Sequence, residues 1–234
     1  MLGLKILLIT LTLLVSVFAV IAWSPHSVKE ASAVTLLFLD NYTNAGWSQA
    51  GSSITVNSLF FPHLVKFNNV AGGGAVDDNR VIRKLPSTLP VTGWIADFDY
   101  KFTTSSIPDM HPFVFTATSA NPQLQTAANQ VEVRHGPSVD QLMLVSVSAN
   151  VSSPIPISPS TQYYVRVERT STQLELFVFS DPARTVQVPG SPETMTIAST
   201  DLANLNYLQH DGCLQCGTAR VLTAKLDNTR VYTP

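Results

Sequence analysis

From Trp94 to Phe102 the chain alternates apolar and polar positions. Trp94, Ala96, Phe98, Tyr100 and Phe102 share one side, and Ile95, Asp97, Asp99 and Lys101 share the other. Successive side chains of an extended strand point to opposite faces, so this segment predicts a strand with one face buried and one wet. Similar runs predict strands at 112–118, 130–135, 141–148, 162–169 and 173–180, with Val131 and Val133 pointing inward. Shorter ones fall at 35–39, 54–57, 64–68, 80–85, 195–198, 218–225 and 230–232. Glycine and proline clusters at 72–74, 86–90, 154–159 and 189–190 separate them, as turns require. No stretch after residue 33 carries a 3.6-residue apolar stripe over three turns, although 201–208 suits a short helix. About a dozen short strands at this spacing predict an all-β fold, a two-sheet antiparallel β-sandwich of the jelly-roll kind.

The N-terminus has a different pattern. Ile6 to Trp23 is apolar and uncharged, Ser24-Pro25 breaks the run, and Ala31-Ser32-Ala33 has the small-x-small form that signal peptidase cuts. Residues 1–33 are therefore expected to be a signal peptide, leaving one sandwich domain over 34–234. An uncleaved anchor is the alternative, since the apolar run is near the shortest that spans a bilayer. Residues 6–23 would then be the only membrane contact. Either route places the domain outside the cell or on its surface.

Composition narrows the picture further. Only 13% of residues are charged, the net charge is −2 and the pI about 6.2, so there is no basic field to attract nucleic acid. With 23 serines and 23 threonines, the surface is covered by hydroxyls rather than ion pairs. Cys213 and Cys216 stand in a glycine-flanked loop without a second cysteine pair to complete a zinc site. In an oxidising compartment they read as a local disulfide. Asn41-Tyr-Thr43 and Asn150-Val-Ser152 are glycosylation acceptors.

The two ends of the domain carry a resemblance. Phe38-Leu-Asp40-Asn-Tyr42 with Gly46-Trp47 opens it, and Leu226-Asp227-Asn228-Thr-Arg230-Val-Tyr232 closes it. This pairing resembles the concanavalin A-like, laminin-G-like sandwich families and jelly-roll carbohydrate-binding modules. The resemblance implies adjacent terminal strands, which would bring Asp40 and Asp227 together. One structural Ca²⁺ could take oxygen ligands from both; otherwise the two aspartates cap turns. The fold hosts lectins, adhesins, hydrolases and filament subunits, so function must be argued from the site.

Catalytic motifs are sparse. The Glu-x-Asp-x-x-Glu of sandwich glycosidases is absent. Asp97 and Asp99 are its nearest echo, two carboxylates about 6.6 Å apart on one strand face. They read as outer-face charges, as do Glu132, Glu168 and Glu175. The histidines show no metal-ligand spacing. His111, Arg134 and His135 lie in or beside loops where a ligand can reach them. Tyr42, Tyr163, Tyr164 and Tyr207 are candidates for exposed rings that stack on sugars, and of the adjacent Tyr163 and Tyr164 one must face outward. These features predict a non-catalytic module that binds glycans or an extracellular protein surface. A self-associating filament, sheath or matrix subunit, with 34–39 as a strand donated to a neighbour, is the alternative. A polysaccharide hydrolase or lyase is the third reading.

Overall fold

A computed structural model of the 234-residue chain describes residues 34–40, 42, 46–57, 64–71, 79–106, 109–122, 129–136, 139–146, 150–212 and 221–234. The leader, Asn41, Asp77, Asp78, Cys213 and Cys216 lie outside the described residues. In chain order the strands are β1 (Thr35–Asp40), β2 (Trp47–Ala50), β3 (Ile54–Asn57), β4 (Leu64–Ala71), β5 (Arg80–Lys84), β6 (Trp94–Ser106), β7 (Met110–Thr116) and β8 (Gln130–His135). There follow β9 (Gln141–Ser146), β10 (Asn150–Val151), β11 (Ile155–Pro156), β12 (Gln162–Arg169), β13 (Gln173–Phe179), β14 (Glu193–Thr196), β15 (Tyr207–Asp211) and β16 (Val221–Thr233).

They form two antiparallel sheets of eight strands each. The first runs β14-β13-β12-β6-β16-β4-β3, and the second runs β10-β9-β8-β7-β15-β5-β2. Here they are called the terminal sheet and the opposite sheet. β1 pairs with the last residues of β16, beyond the stretch that β4 occupies, and β11 pairs with β9. The terminal strands are neighbours, as the resemblance implies.

The alternation read at 94–102 is the heart of the core. Trp94, Ala96, Phe98, Tyr100 and Phe102 are all fully buried. Phe98 stacks on Phe113 of the opposite sheet with ring centroids 4.3 Å apart, and Trp94 meets Phe115 edge-on at 5.5 Å. Each such ring removed from water contributes roughly 1.5–3 kcal/mol. β12 shows the same logic, alternating between part-exposed and buried from Gln162 to Arg169.

Three local expectations are corrected. β16 is one strand, not two, because a bulge carries it through 226–229. Asp227 pairs with Asp99 and Arg230 with Asp97, so three steps on β16 match two on β6. The extra residue, Asn228, takes a left-handed φ of 53°. The bulge shifts the alternation, so Leu222, Ala224 and Leu226 and then Thr229 and Val231 all point inward. Residues 201–208 do not form a helix. Leu202 and Asn204 have φ of 65° and 62°, which makes a turn, and β15 begins at Tyr207. Tyr42 is not a surface ring; it is fully buried, stacked on Trp47 at 5.6 Å and hydrogen-bonded to the Thr229 hydroxyl.

Candidate functional site

Register alone builds a charged hub on the outer face of the terminal sheet. Asp97 of β6 stands between Arg166 of β12 and Arg230 of β16, its direct partners on either side. Arg166 donates from Nε to Asp97 Oδ1 at 2.8 Å and from Nη2 to Oδ2 at 3.2 Å. Arg230 donates from Nε and Nη2 to Oδ2 at 3.0 and 2.8 Å. The Tyr232 hydroxyl adds a bond to Oδ2 at 3.2 Å, and Arg184 Nε lies 3.7 Å from Oδ1. The expected wet face is thus dry at Asp97, whose side chain is 0% exposed. Burial alone would raise its pKa, but the hydrogen bonds and charges of Arg166, Arg184 and Arg230 hold it below the usual value.

The loop after β13 delivers Arg184. Asp181 accepts bonds from the Thr185 and Val186 N–H groups, closing a tight turn. Arg184 sits inside it at φ 56°. Its guanidinium lies over the Tyr164 ring, 5.7 Å from the centroid, and Nη2 donates to Asp99 Oδ1 at 2.9 Å. Asn228 completes Asp99 from the other side, donating from Nδ2 to Oδ2 at 2.7 Å. Left-handed backbone at a residue other than glycine is strained, and such residues cluster where a side chain must be aimed.

These residues line an open cleft of about 400 Å³, formed by Leu39, Asp40, Asp99, Arg184, Asn228 and Arg230. That volume falls within the range of small-ligand sites. Leu39 is 60% exposed and supplies an apolar wall. The sequence motifs at the two chain ends thus meet at one place, together with Asp99 and, beneath Arg184, Tyr164. Arg184 and Arg166 carry no motif in the sequence. The turn-forming Asp181-Pro182 ahead of Arg184 is the one local signal.

Asp40 and Asp227 lie on the paired strands β1 and β16. Asp40 accepts from the Tyr42 N–H at 2.6 Å and from Arg83 Nη1 at 2.6 Å, which commits both oxygens. A site already holding a guanidinium does not suit a second cation, so Asp40 does not fit the calcium ligand set. Burial, and then the charge of Asp99, raise the pKa of Asp227. Among the described residues no three of His, Cys, Asp and Glu converge to hold a metal ion.

The outer face of the opposite sheet carries a second polar cluster. His111 Nδ1 pairs with Glu132 Oε2 at 2.6 Å, and Gln130 Nε2 donates to Glu132 Oε1. Arg134 is paired with Asp109. Gln209 Nε2 donates to Thr116 Oγ1 at 2.7 Å. Unlike the cleft, this cluster is closed: His111, Gln130, Glu132 and Gln209 are all buried. Glu132 is therefore not the solvated charge the alternation suggests. Burial works against a charged His111, but Glu132, with Asp211 behind it, raises its pKa.

His135 turns into the core instead. It is fully buried, with Nδ1 2.6 Å from the Tyr100 hydroxyl and Nε2 3.2 Å from Asp140. Burial pulls its pKa down to about 4, so the ring is neutral, accepting from Tyr100 and donating to Asp140. His210 is likewise neutral, its pKa lowered to about 4 by burial, and Nδ1 donates to the Pro112 carbonyl at 2.6 Å. Asn150 is exposed at the start of β10.

No protein-family model and no curated protein matches the chain. Solved structures do. Arcelin-5, a lectin-like defense protein from Phaseolus vulgaris, superposes with a TM-score of 0.58 at 9% identity, covering 86% of this chain and 98% of that one. Lectin II from Ulex europaeus gives 0.56 at 10% identity over 84% and 97%. The exoplasmic/lumenal domain of VIP36, solved in a Ca²⁺/Man3GlcNAc-bound form, gives 0.54 at 7% identity over 84% and 90%. Two antiparallel sheets with adjacent terminal strands, and these neighbours, give the chain the concanavalin A-like jelly-roll fold.

Proposed function

We propose that the chain is a non-catalytic, extracellular glycan-binding module, with the ligand held in the cleft of Leu39, Asp99, Arg184, Asn228 and Arg230. The carrying observation is the convergence there of both chain ends, a bulge and a strained arginine on hydrogen-bonding groups beside an exposed leucine. Sugars are held by such polar groups around an apolar contact. Likeness to lectin structures supports this reading at the level of the fold. Calcium is not required in it, because Arg83 already neutralises Asp40.

The test is a glycan array probed with the full-length chain, with Ca²⁺ and with EDTA. Binding retained in EDTA is the expected result. Loss in EDTA would overturn the calcium-free form of this reading. A blank array overturns the reading.

A second reading has its own observation. β1 pairs with β16 on one side, carries no charge from Thr35 to Leu39, and exposes Val34, Leu36 and Leu39 by 65%, 57% and 60%. An uncharged apolar strand at a sheet edge favours pairing with another strand. Self-association into a surface layer or filament then becomes the function. Sedimentation tests it: concentration-dependent growth, abolished by Leu36→Lys, is the expected result, and a monomer at all concentrations removes it.

A further inference from the structure

We infer that the cleft selects an acidic sugar, one bearing a carboxylate or a sulfate ester, by seating that group on Arg230 and Arg184. The inference rests on the glycan reading above and narrows its ligand.

The hydrogen-bonding inventory of the cleft carries the argument. Each oxygen of its carboxylates already accepts at least one hydrogen bond, and a guanidinium faces each carboxylate. Asp99 spends one oxygen on Arg184 and the other on Asn228. Asp40 spends its two on the Tyr42 N–H and Arg83. Asp97, beneath the cleft, takes two arginines and a tyrosine. What remains for a ligand is mainly donors. Arg230 turns Nε and Nη2 toward Asp97 while its side chain is 46% exposed, which leaves the Nη1 edge available. Arg184 is 9% exposed; its buried Nε faces Asp97 Oδ1 at 3.7 Å and its Nη2 is held by Asp99, so it adds positive charge at the cleft wall rather than a free Nε–H.

Charge agrees. Three guanidinium groups, Arg166, Arg184 and Arg230, face two carboxylates, Asp97 and Asp99. Arg83 offsets Asp40, and Lys225 acts on Asp227. Glu168 acts on Arg166 from the Ile95 end of the register, whereas the cleft lies at the Asp99 end. The local excess is therefore positive. Guanidinium groups suit planar carboxylate and sulfate oxygens, which they can bind with two parallel bonds. Leu39 beside them offers the apolar contact that a sugar ring's C–H face takes. Both left-handed residues of the cleft, Arg184 and Asn228, hold these donors in place before the ligand arrives.

The experiment is calorimetric titration of the full-length chain with three probes: trigalacturonic acid, its fully methyl-esterified form and a sulfated heparin disaccharide. Binding of either acidic probe at least tenfold tighter than the ester is expected, and the two acidic arms tell carboxylate from sulfate. Arg230→Gln should weaken the acidic probe at least tenfold and leave the ester unchanged, with Arg230→Lys between them. As a second variant at an exposed position, Leu39→Glu should weaken the acidic probe more than Leu39→Gln does. Equal affinity for acid and ester overturns the selection while the glycan array still supports a glycan module. Acidic binding that Arg230→Gln and Leu39→Glu leave intact overturns the site. Absence of binding to all three probes overturns the inference, and the array then decides whether the broader reading falls with it.

Discussion

The outer faces of the two sheets are made by the same rule and end in opposite states. On each, cross-strand neighbours pair a carboxylate with a base: Asp97 with Arg166 and Arg230 on the terminal sheet, Glu132 with His111 on the opposite sheet. On the terminal sheet three arginines surround Asp97 and Asp99, the half-exposed Arg230 among them, and an open cleft adjoins them. On the opposite sheet the cluster is closed, with Glu132 taking both His111 and the Gln130 amide and Gln209 bonded to Thr116. A polar face is thus not by itself a binding face; what matters is whether donors remain after internal pairing.

The largest test of this contrast removes each central acid. Asp97→Ala would strand three guanidinium groups and should cost about 3–5 kcal/mol of stability in urea unfolding. Glu132→Ala strands one histidine and a glutamine amide, and should cost less, about 2–3 kcal/mol. The reverse order would break the comparison, because it would make the closed cluster the more heavily charged of the two.

Titration separates the faces from the core. His210 has its pKa lowered to about 4, so between pH 6.5 and 4 the unfolded chain binds a proton that the folded chain refuses. Stability should therefore rise with pH across that window, by roughly 3 kcal/mol for this residue. His135 adds a slope of the same sign. His111 has the opposite sign: its pKa is raised, so its contribution is full below pH 6.5 and is lost as pH climbs through the raised value. Asp97 is held low, so its contribution is present above its ordinary pKa and disappears as acid protonates it. Unfolding measured from pH 3 to 8 should show a maximum near neutrality. His210→Gln should flatten the acid limb and Glu132→Gln the alkaline one.

A smaller effect tests the bulge. Asn228→Val places a β-branched residue at φ 53° and should cost about 1–2 kcal/mol, while Asn228→Gly should stay within about 0.5 kcal/mol. Equal costs would mean that the Asn228 amide, not its backbone, fixes the bulge. The smallest effect belongs to Arg230→Gln. This half-exposed residue shares Asp97 with Arg166, so unfolding should change by less than about 1 kcal/mol even where binding changes tenfold.

Much of the fold was legible in the chain because alternation is local. Trp94 to Phe102, β8 and β12 follow from counting every second residue, and the motifs at 38–42 and 226–232 pointed to adjacent terminal strands. The errors came where a neighbour decides. Asp97 reads as solvated on its own strand, and only the register that sets arginines on both sides buries it. Tyr42 reads as a loop ring until Trp47 and Thr229 enclose it. Arg184 was invisible because its place depends on a turn folded over another part of the sheet. The candidate site was therefore only partly visible: the chain-end motifs carry Leu39, Asp40, Asn228 and Arg230, but Asp99 reads as an outer-face charge, His111, Arg134 and His135 stand on the opposite sheet, and the arginine that completes the cleft has no motif.

The bulge in β16 has one more consequence, for chain length. Downstream of Asn228 every residue sits where it does because of one surplus position. Excising that residue would work like a frame error in the strand: Arg230 and Tyr232 would turn toward Phe98 and its neighbours, and Thr229 and Val231 toward water. Substitutions there can be weighed side chain by side chain, but a deletion would exchange inside for outside along the rest of the strand. At this point of the chain, the number of residues carries more of the structure than their kind.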